Sequence, residues 1–182
     1  MIGLHVRHEL PQWLVDNGFK KGVEIGVYKG AYTEMFCVAG VEMIYAVDPY
    51  IAYSEERSQL RQEFLCGYGQ GVLSKYKNVT YVRKTSMEAV KDFADESLDF
   101  VYIDGNHAYK ECKEDITEWA KKVRKGGVIA GHDYEGRSSK YVHQVVDEYI
   151  KEYNIPELEV IAKRGYMTEI GDKHASWLFF KT

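Results

Sequence analysis

Apolar residues along this chain come in two alternating patterns. Short runs rich in β-branched and aromatic residues are separated by stretches in which apolar positions recur every three or four residues. Continuous apolar runs, rather than strict in-and-out alternation, are what a largely parallel sheet covered on both faces requires. The predicted strands are Gly22–Ile25, Met43–Val47, Val79–Val82, Leu98–Ile103 and Val128–Ala130. Two further runs, Leu158–Ile161 and Trp177–Phe180, have no helical pattern between them and predict an antiparallel hairpin at the sheet edge.

Between the strands, a helix is expected over Ala31–Ala39 with Gly40 as its stop. Helical sequence from Ser54 to about Leu65 should give way to a glycine-rich stretch over Gly67–Gly71. Thr85 and Glu88 form a capping-box pattern for a short helix through Val90. Ala108, Cys112, Ile116, Trp119, Ala120 and Val123 share one face of a helix that the pair Gly126-Gly127 should end. Val142, Val145, Val146, Tyr149, Ile150 and Tyr153 mark the strongest helical face, capped by Ser138 or Ser139. The expected fold is therefore α/β: a Rossmann-like, doubly wound, seven-stranded sheet, mostly parallel with an antiparallel C-terminal hairpin strand. One domain over residues 1–182 is expected, with a short helical extension over about residues 1–18.

Composition narrows the function classes. Hydrophobic residues are 45% and charged residues 29% of the 182, as in an ordinary globular chain, and the net charge of −4 offers no footprint for nucleic acid. The pairs Lys121-Lys122 and Arg124-Lys125 read as solvated helix ends. No run approaches the ~20 apolar residues of a membrane span, and the N-terminus lacks a signal-like apolar region. Three cysteines (Cys37, Cys66 and Cys112), with no Cys-x-x-Cys pair, argue against a disulfide frame or zinc cluster; a cytoplasmic location is expected.

The candidate chemistry lies at the carboxyl ends of the strands. The first turn, Val23-Glu24-Ile25-Gly26-Val27-Tyr28-Lys29-Gly30, lets a ligand approach the backbone but lacks the Gly-x-Gly of nicotinamide and flavin sites. An acid at Glu24 would repel a pyrophosphate and welcome a cationic ligand without phosphates. Asp48, at the end of the second strand, can accept both hydroxyls of a ribose, or can simply form an Asp-Pro turn. Thr85 and Ser86 can reach an adenine edge or cap their helix.

Two later segments, Phe100-Val101-Tyr102-Ile103-Asp104-Gly105-Asn106-His107-Ala108-Tyr109 and Lys125-Gly126-Gly127-Val128-Ile129-Ala130-Gly131-His132-Asp133-Tyr134, complete a pattern. With Glu24-x-Gly26-x-x-x-Gly30 and Asp48, it resembles the class I S-adenosylmethionine-dependent methyltransferases over about residues 20–135. The resemblance is closest to the small branch related to catechol-type and sugar O-methyltransferases. It implies S-adenosylmethionine as cofactor, held by Glu24, Gly26, Val27, Tyr28 and Gly30, with Asp48 on the ribose and Asp104 next to the sulfonium. It also implies a divalent ion, Mg²⁺ or another, on Asp104, His132 and Asp133. The family more often carries Asp-Asp or Asp-Asn at the last two positions, and an imidazole there shifts preference towards Mn²⁺, Fe²⁺ or Zn²⁺.

Asp104, His107 and His132 are the candidate catalytic residues. His107 is read as a general base or a helix-start histidine, and His132 as metal ligand, base or partner of Asp133. His5, His8, His143 and His174 belong to no constellation. Residues 51–78, the loop Lys163–Ala175, Tyr134 and Arg137 are expected to border the acceptor or face solvent. The expected partner is a small-molecule acceptor with a hydroxyl, sugar-like or catechol-like, with no nucleic acid or membrane and with homo-oligomerisation open. A nicotinamide-dependent oxidoreductase and a non-catalytic nucleotide-binding module are the alternatives.

Overall fold

A computed structural model describes residues 2–52, 58–135, 140–161 and 174–182. Seven strands form one sheet in the order β3-β2-β1-β4-β5-β7-β6: β1 Lys21–Ile25, β2 Met43–Val47, β3 Val79–Val82, β4 Leu98–Ile103, β5 Val123–Gly131, β6 Glu159–Ile161 and β7 Ser176–Phe180. The first five pair in parallel, and β7 runs antiparallel to both β5 and β6. The predicted hairpin is present. Its second strand is inserted beside β5, which leaves the three-residue β6 as the edge.

Helices cover both faces, as the continuous apolar strands demand. A 3₁₀ turn at Arg7–Glu9 leads into α1 Leu10–Asp16, which buries Leu10 and Leu14 with α2 (Ala31–Ala39) against Phe100, Tyr102, Val128 and Ala130. On the other face α5 (Tyr109–Lys122) and α6 (Lys140–Glu152) bury Ile116, Trp119, Val142, Val145 and Val146 against Val23, Val101 and Ile129. Thr85 caps α4 (Ser86–Ala89) through the expected capping box. Gly40 stops α2 in the left-handed conformation, also as expected. Ser138, Ser139, Arg137 and most of the Lys163–Ala175 loop lie outside the described residues. No described helix is long and apolar enough to cross a membrane.

Two local expectations are overturned. The helix does not give way at about Leu65: α3 runs over Gln59–Leu73, capped by Ser58, and the glycine-rich stretch lies within its second half. Packing overrides propensity there. Leu65, Cys66 and Leu73 bury beside Tyr50, and a Cβ at Gly69 would stand 3.1 Å from the Tyr81 hydroxyl. Gly126-Gly127 does not end α5 either, because the chain is already extended from Val123. Val123 pairs with Leu98, the register then shifts, and the glycine segment is stitched to Lys181 by Gly126 N–H and Gly127 C=O.

Candidate functional site

The strand order reverses between β1 and β4, and open α/β sheets bind ligands at the carboxyl edge of such a crossing. The backbone is drawn together there. Asp104 N–H donates to Ile25 C=O at 2.8 Å, and Gly26 N–H donates to Val47 C=O at 2.9 Å. Gly26 has φ +90°, and a Cβ on it would stand 2.1 Å from the Asp104 carbonyl oxygen, so only glycine fits.

Two cavities meet over this crossing and share Gly26, Tyr28, Gln62, Asp104, Gly105 and Asn106 as walls. The smaller, of about 310 Å³, is a slot whose walls include Val47, Asp48, Pro49 and Ile51 after β2, Thr85, Ser86 and Met87 after β3, and Asp115 of α5. The larger, of about 720 Å³, opens towards Arg7, Glu24, Tyr32, Arg61, His107 and Tyr141.

The two early acids are bound into the frame. Glu24 is only 2% exposed and accepts a short hydrogen bond from the Thr33 hydroxyl. Burial pushes its carboxyl up to about 8, against the pull of Thr33. Asp48 Oδ2 accepts Val27 N–H and Tyr28 N–H, both at 3.0 Å, and Oδ1 accepts Tyr50 N–H at 2.9 Å. These bonds shape the β1–α2 loop, in which Tyr28 takes φ +52°. A carboxylate offers about four acceptor positions. Three are taken, so Asp48 has room for one ribose hydroxyl rather than two.

The other proposed cofactor contacts divide. Gly26, Val27 and Tyr28 line the larger cavity. Gly30 lines neither cavity; its left-handed backbone caps α2, and a Cβ would press on Leu73 at 3.3 Å. Thr85 Oγ1 serves the cap, accepting Glu88 N–H at 3.3 Å, and Ser86 Oγ accepts the Trp119 indole N–H at 2.8 Å while donating to Asp115.

The later acids face one another with imidazoles between. Asp104, His107 and Asp133 offer ligand atoms all within 4.8 Å of one another. His107 Nε2 stands 3.2 Å from Asp133 Oδ2 and 3.6 Å from Asp104 Oδ1. His132 Nδ1 lies 3.2 Å from the same Asp133 oxygen and 3.8 Å from Asp104 Oδ2. The ligand-spaced trio therefore takes its imidazole from His107, three residues past Asp104, and not from His132. His174 completes the ring around Asp133 with Nδ1 at 3.6 Å.

The two carboxylates, Asp104 first and Asp133 with it, hold the His107 imidazole above its usual range despite partial burial. Burial alone would raise Asp133, but His132, His107 and His174 outweigh it and keep that carboxyl below its ordinary value. Asp133 also sits at φ +60°, a conformation costly for a residue with a side chain and characteristic of functional turns.

A family model described as a methyltransferase domain matches residues 23–134. The chain belongs to that family. The matched span contains every acid and histidine just described except His174, and its end at Tyr134 falls directly after the Asp133 turn. A solved O-methyltransferase from Bacillus cereus, in complex with SAH, shares the fold of this methyltransferase domain. The TM-score is 0.68 at 15% identity, over 96% of this chain and 80% of that one. The N-methyltransferase NodS from Bradyrhizobium japonicum also shares it, with TM-score 0.63 at 14% identity over 96% of this chain and 94% of that one. Among curated proteins, the uncharacterized y4gI of Sinorhizobium fredii is 39% identical over 56 residues, 31% of this chain. That stretch spans only 6% of y4gI.

Sequence reasoning missed two charged residues that line these cavities. Arg7 reaches the larger cavity from before α1, with Nη1 3.5 Å from Asp104 Oδ2 and its guanidinium 5.0 Å over the Tyr32 ring. Nothing in the local pattern marks it. Asp115 lines the slot from α5, and its signal was present: it is an acid on the apolar face shared by Cys112, Ile116 and Trp119.

Proposed function

We propose that this domain binds S-adenosylmethionine across the two cavities and methylates a hydroxyl of a small molecule, with a divalent cation on the late acids. The observation that carries this reading is the cluster of Asp104, His107 and buried Asp133, of which Asp104 and His107 line the larger cavity over the β1/β4 crossing.

The adenosyl part fits the apolar slot, and the methionyl part fits the passage over Gly26 towards Glu24. A pyrophosphate in that passage would lie against Asp104, which disfavours a nicotinamide dinucleotide. S-adenosylmethionine, when bound, supplies a methyl group made electrophilic by its sulfonium. Two carboxylates and an imidazole are a donor set suited to Mg²⁺ or a harder transition ion. A cation on Asp104, Asp133 and His107 would lower the pKa of an acceptor hydroxyl and fix its position. In its absence His107, which lines the larger cavity, is the group placed to take the hydroxyl proton. His132 lines neither cavity and acts by positioning Asp133. Arg7 and Tyr32 close the far side of the cavity and limit water.

Binding is tested by thermal unfolding with S-adenosylmethionine and with SAH. A ligand that binds only the folded state at 100 times its Kd stabilises by about 2.7 kcal/mol, a rise of several degrees in Tm. No shift at millimolar nucleoside overturns the reading. Transfer of labelled methyl to a panel of sugar and catechol hydroxyls, with and without chelator, then tests acceptor and metal.

A further inference from the structure

We propose that Asp115 reads the exocyclic amine of the cofactor's adenine, held in place by Ser86 and Trp119. The inference rests on the adenosyl part occupying the slot, as argued above.

Asp115 is 5% exposed, and yet it lines the slot with Asp48 and Pro49. Only one of its oxygens is bonded within the protein. Oδ1 accepts the Ser86 hydroxyl, which is itself oriented by the Trp119 indole N–H at 2.8 Å. Oδ2 has no hydrogen-bond partner among the described residues, and it is not sealed from the cavity either. It points past Gly105, where an added Cβ would stand 3.3 Å from it. A helix-packing acid would turn its head to solvent; this one turns both oxygens inward.

Burying a carboxyl with one partner is unfavourable, and burial pushes Asp115 up to about 7. A ligand donor delivered into the slot would compensate it. The remaining walls say which donor. Val47, Pro49, Ile51 and Met87 offer apolar contact suited to a planar base, Glu111 and Glu114 add further acceptors, and Ser86 has already given its proton to Asp115. The slot therefore presents an acceptor at its inner end. Adenine places an amine there, whereas a 6-oxo purine would place an oxygen against the carboxylate.

The test is calorimetric titration of the full chain with SAH and with S-inosylhomocysteine, which carries a 6-oxo group and an N1–H in place of the amine and the bare N1. The wild type should bind SAH at least about tenfold more tightly, the effect of one hydrogen bond to a charged group. Asp115→Asn, whose amide can donate, should narrow the ratio to within about threefold. Equal affinity of the wild type for the two nucleosides overturns the proposal. So does an unchanged ratio in Asp115→Asn with a native circular dichroism spectrum. If neither nucleoside binds the wild type, the cofactor reading itself fails, and that outcome is distinct from binding without selectivity.

Discussion

The carboxyl edge of the sheet carries two pairs of acids that the structure treats in opposite ways. Glu24 and Asp48, from β1 and β2, are satisfied by the protein itself: one by Thr33, the other by three backbone amides. Asp104 and Asp133, just past β4 and β5, meet imidazoles, and Asp104 a guanidinium as well, at distances of 3.2 to 3.8 Å; Asp104 lines both cavities, and Asp133 is buried. The first pair builds the surface on which a ligand rests. The second pair is held together by charge that a ligand or cation can replace. Acids at equivalent strand ends are thus divided between those satisfied by the frame and those paired with side-chain charges, and the division follows from what each carboxylate already touches.

The largest expected effect comes from breaking the second pair. Asp104→Asn or His107→Ala should lower kcat by about 10² to 10⁴, the usual range for removing a proton acceptor or metal-activated nucleophile. SAH affinity measured by calorimetry should change little in His107→Ala, because His107 lies outside the slot, whereas Asp104 is one of its walls. His132→Ala, acting only through Asp133, should cost about tenfold to a hundredfold. A His132 variant as inactive as the Asp104 variant would move that histidine into the reacting group.

How much of this was legible follows the range of each interaction. Strand and helix positions such as Met43–Val47, Ala31–Ala39 and the Thr85 box depend on neighbours in sequence, and the chain shows them directly. The glycines of α3 misled because the helix packs at Gly69 against Tyr50 and Tyr81, which lie outside the helix on either side in sequence. The acids and histidines at strand ends were legible as a set. The choice of His107 over His132 was not, because it depends on which way each side chain leaves its turn. Asp115 could have been found, since a carboxylate in an apolar helical face demands an explanation. Arg7 could not, since nothing local ties it to Asp104.

A second, smaller effect tests the framing role of Glu24. Its unfolded value is near 4.5, and burial raises the folded value to about 8. Below pH 4.5 both states are protonated and stability is complete. Between 4.5 and about 8 the unfolded chain ionises while the folded one stays neutral, so stability falls by up to ~1.4 kcal/mol per pH unit. Above 8 the loss levels off. Urea unfolding of the ligand-free protein at pH 5, 6.5 and 8 should show this decline. Glu24→Gln keeps a partner for Thr33 and should flatten it; a slope unchanged in the variant would assign the pH dependence elsewhere.

The smallest effect is the most diagnostic, because Asp48 stands between the two classes. Asp48→Ala strips three amides of their acceptor, and water can reach part of that loop. The loss should be about 2 kcal/mol, lowering Tm by roughly 4–8 °C in a chain of this size. Framing alone would weaken SAH and its 2′-deoxyribose and 3′-deoxyribose analogues by the same factor. Use of the one remaining acceptor position would instead make the wild type discriminate against one of the two deoxy analogues, not both, and Asp48→Ala would abolish that discrimination. If the wild type rejects both analogues equally, the carboxylate has let go of a loop amide to hold the second hydroxyl. Tyr28, at φ +52°, would then be the residue released. Its backbone carbonyl accepts the Tyr50 hydroxyl at 2.8 Å, so that movement should be readable as a change in Tyr50 on cofactor binding.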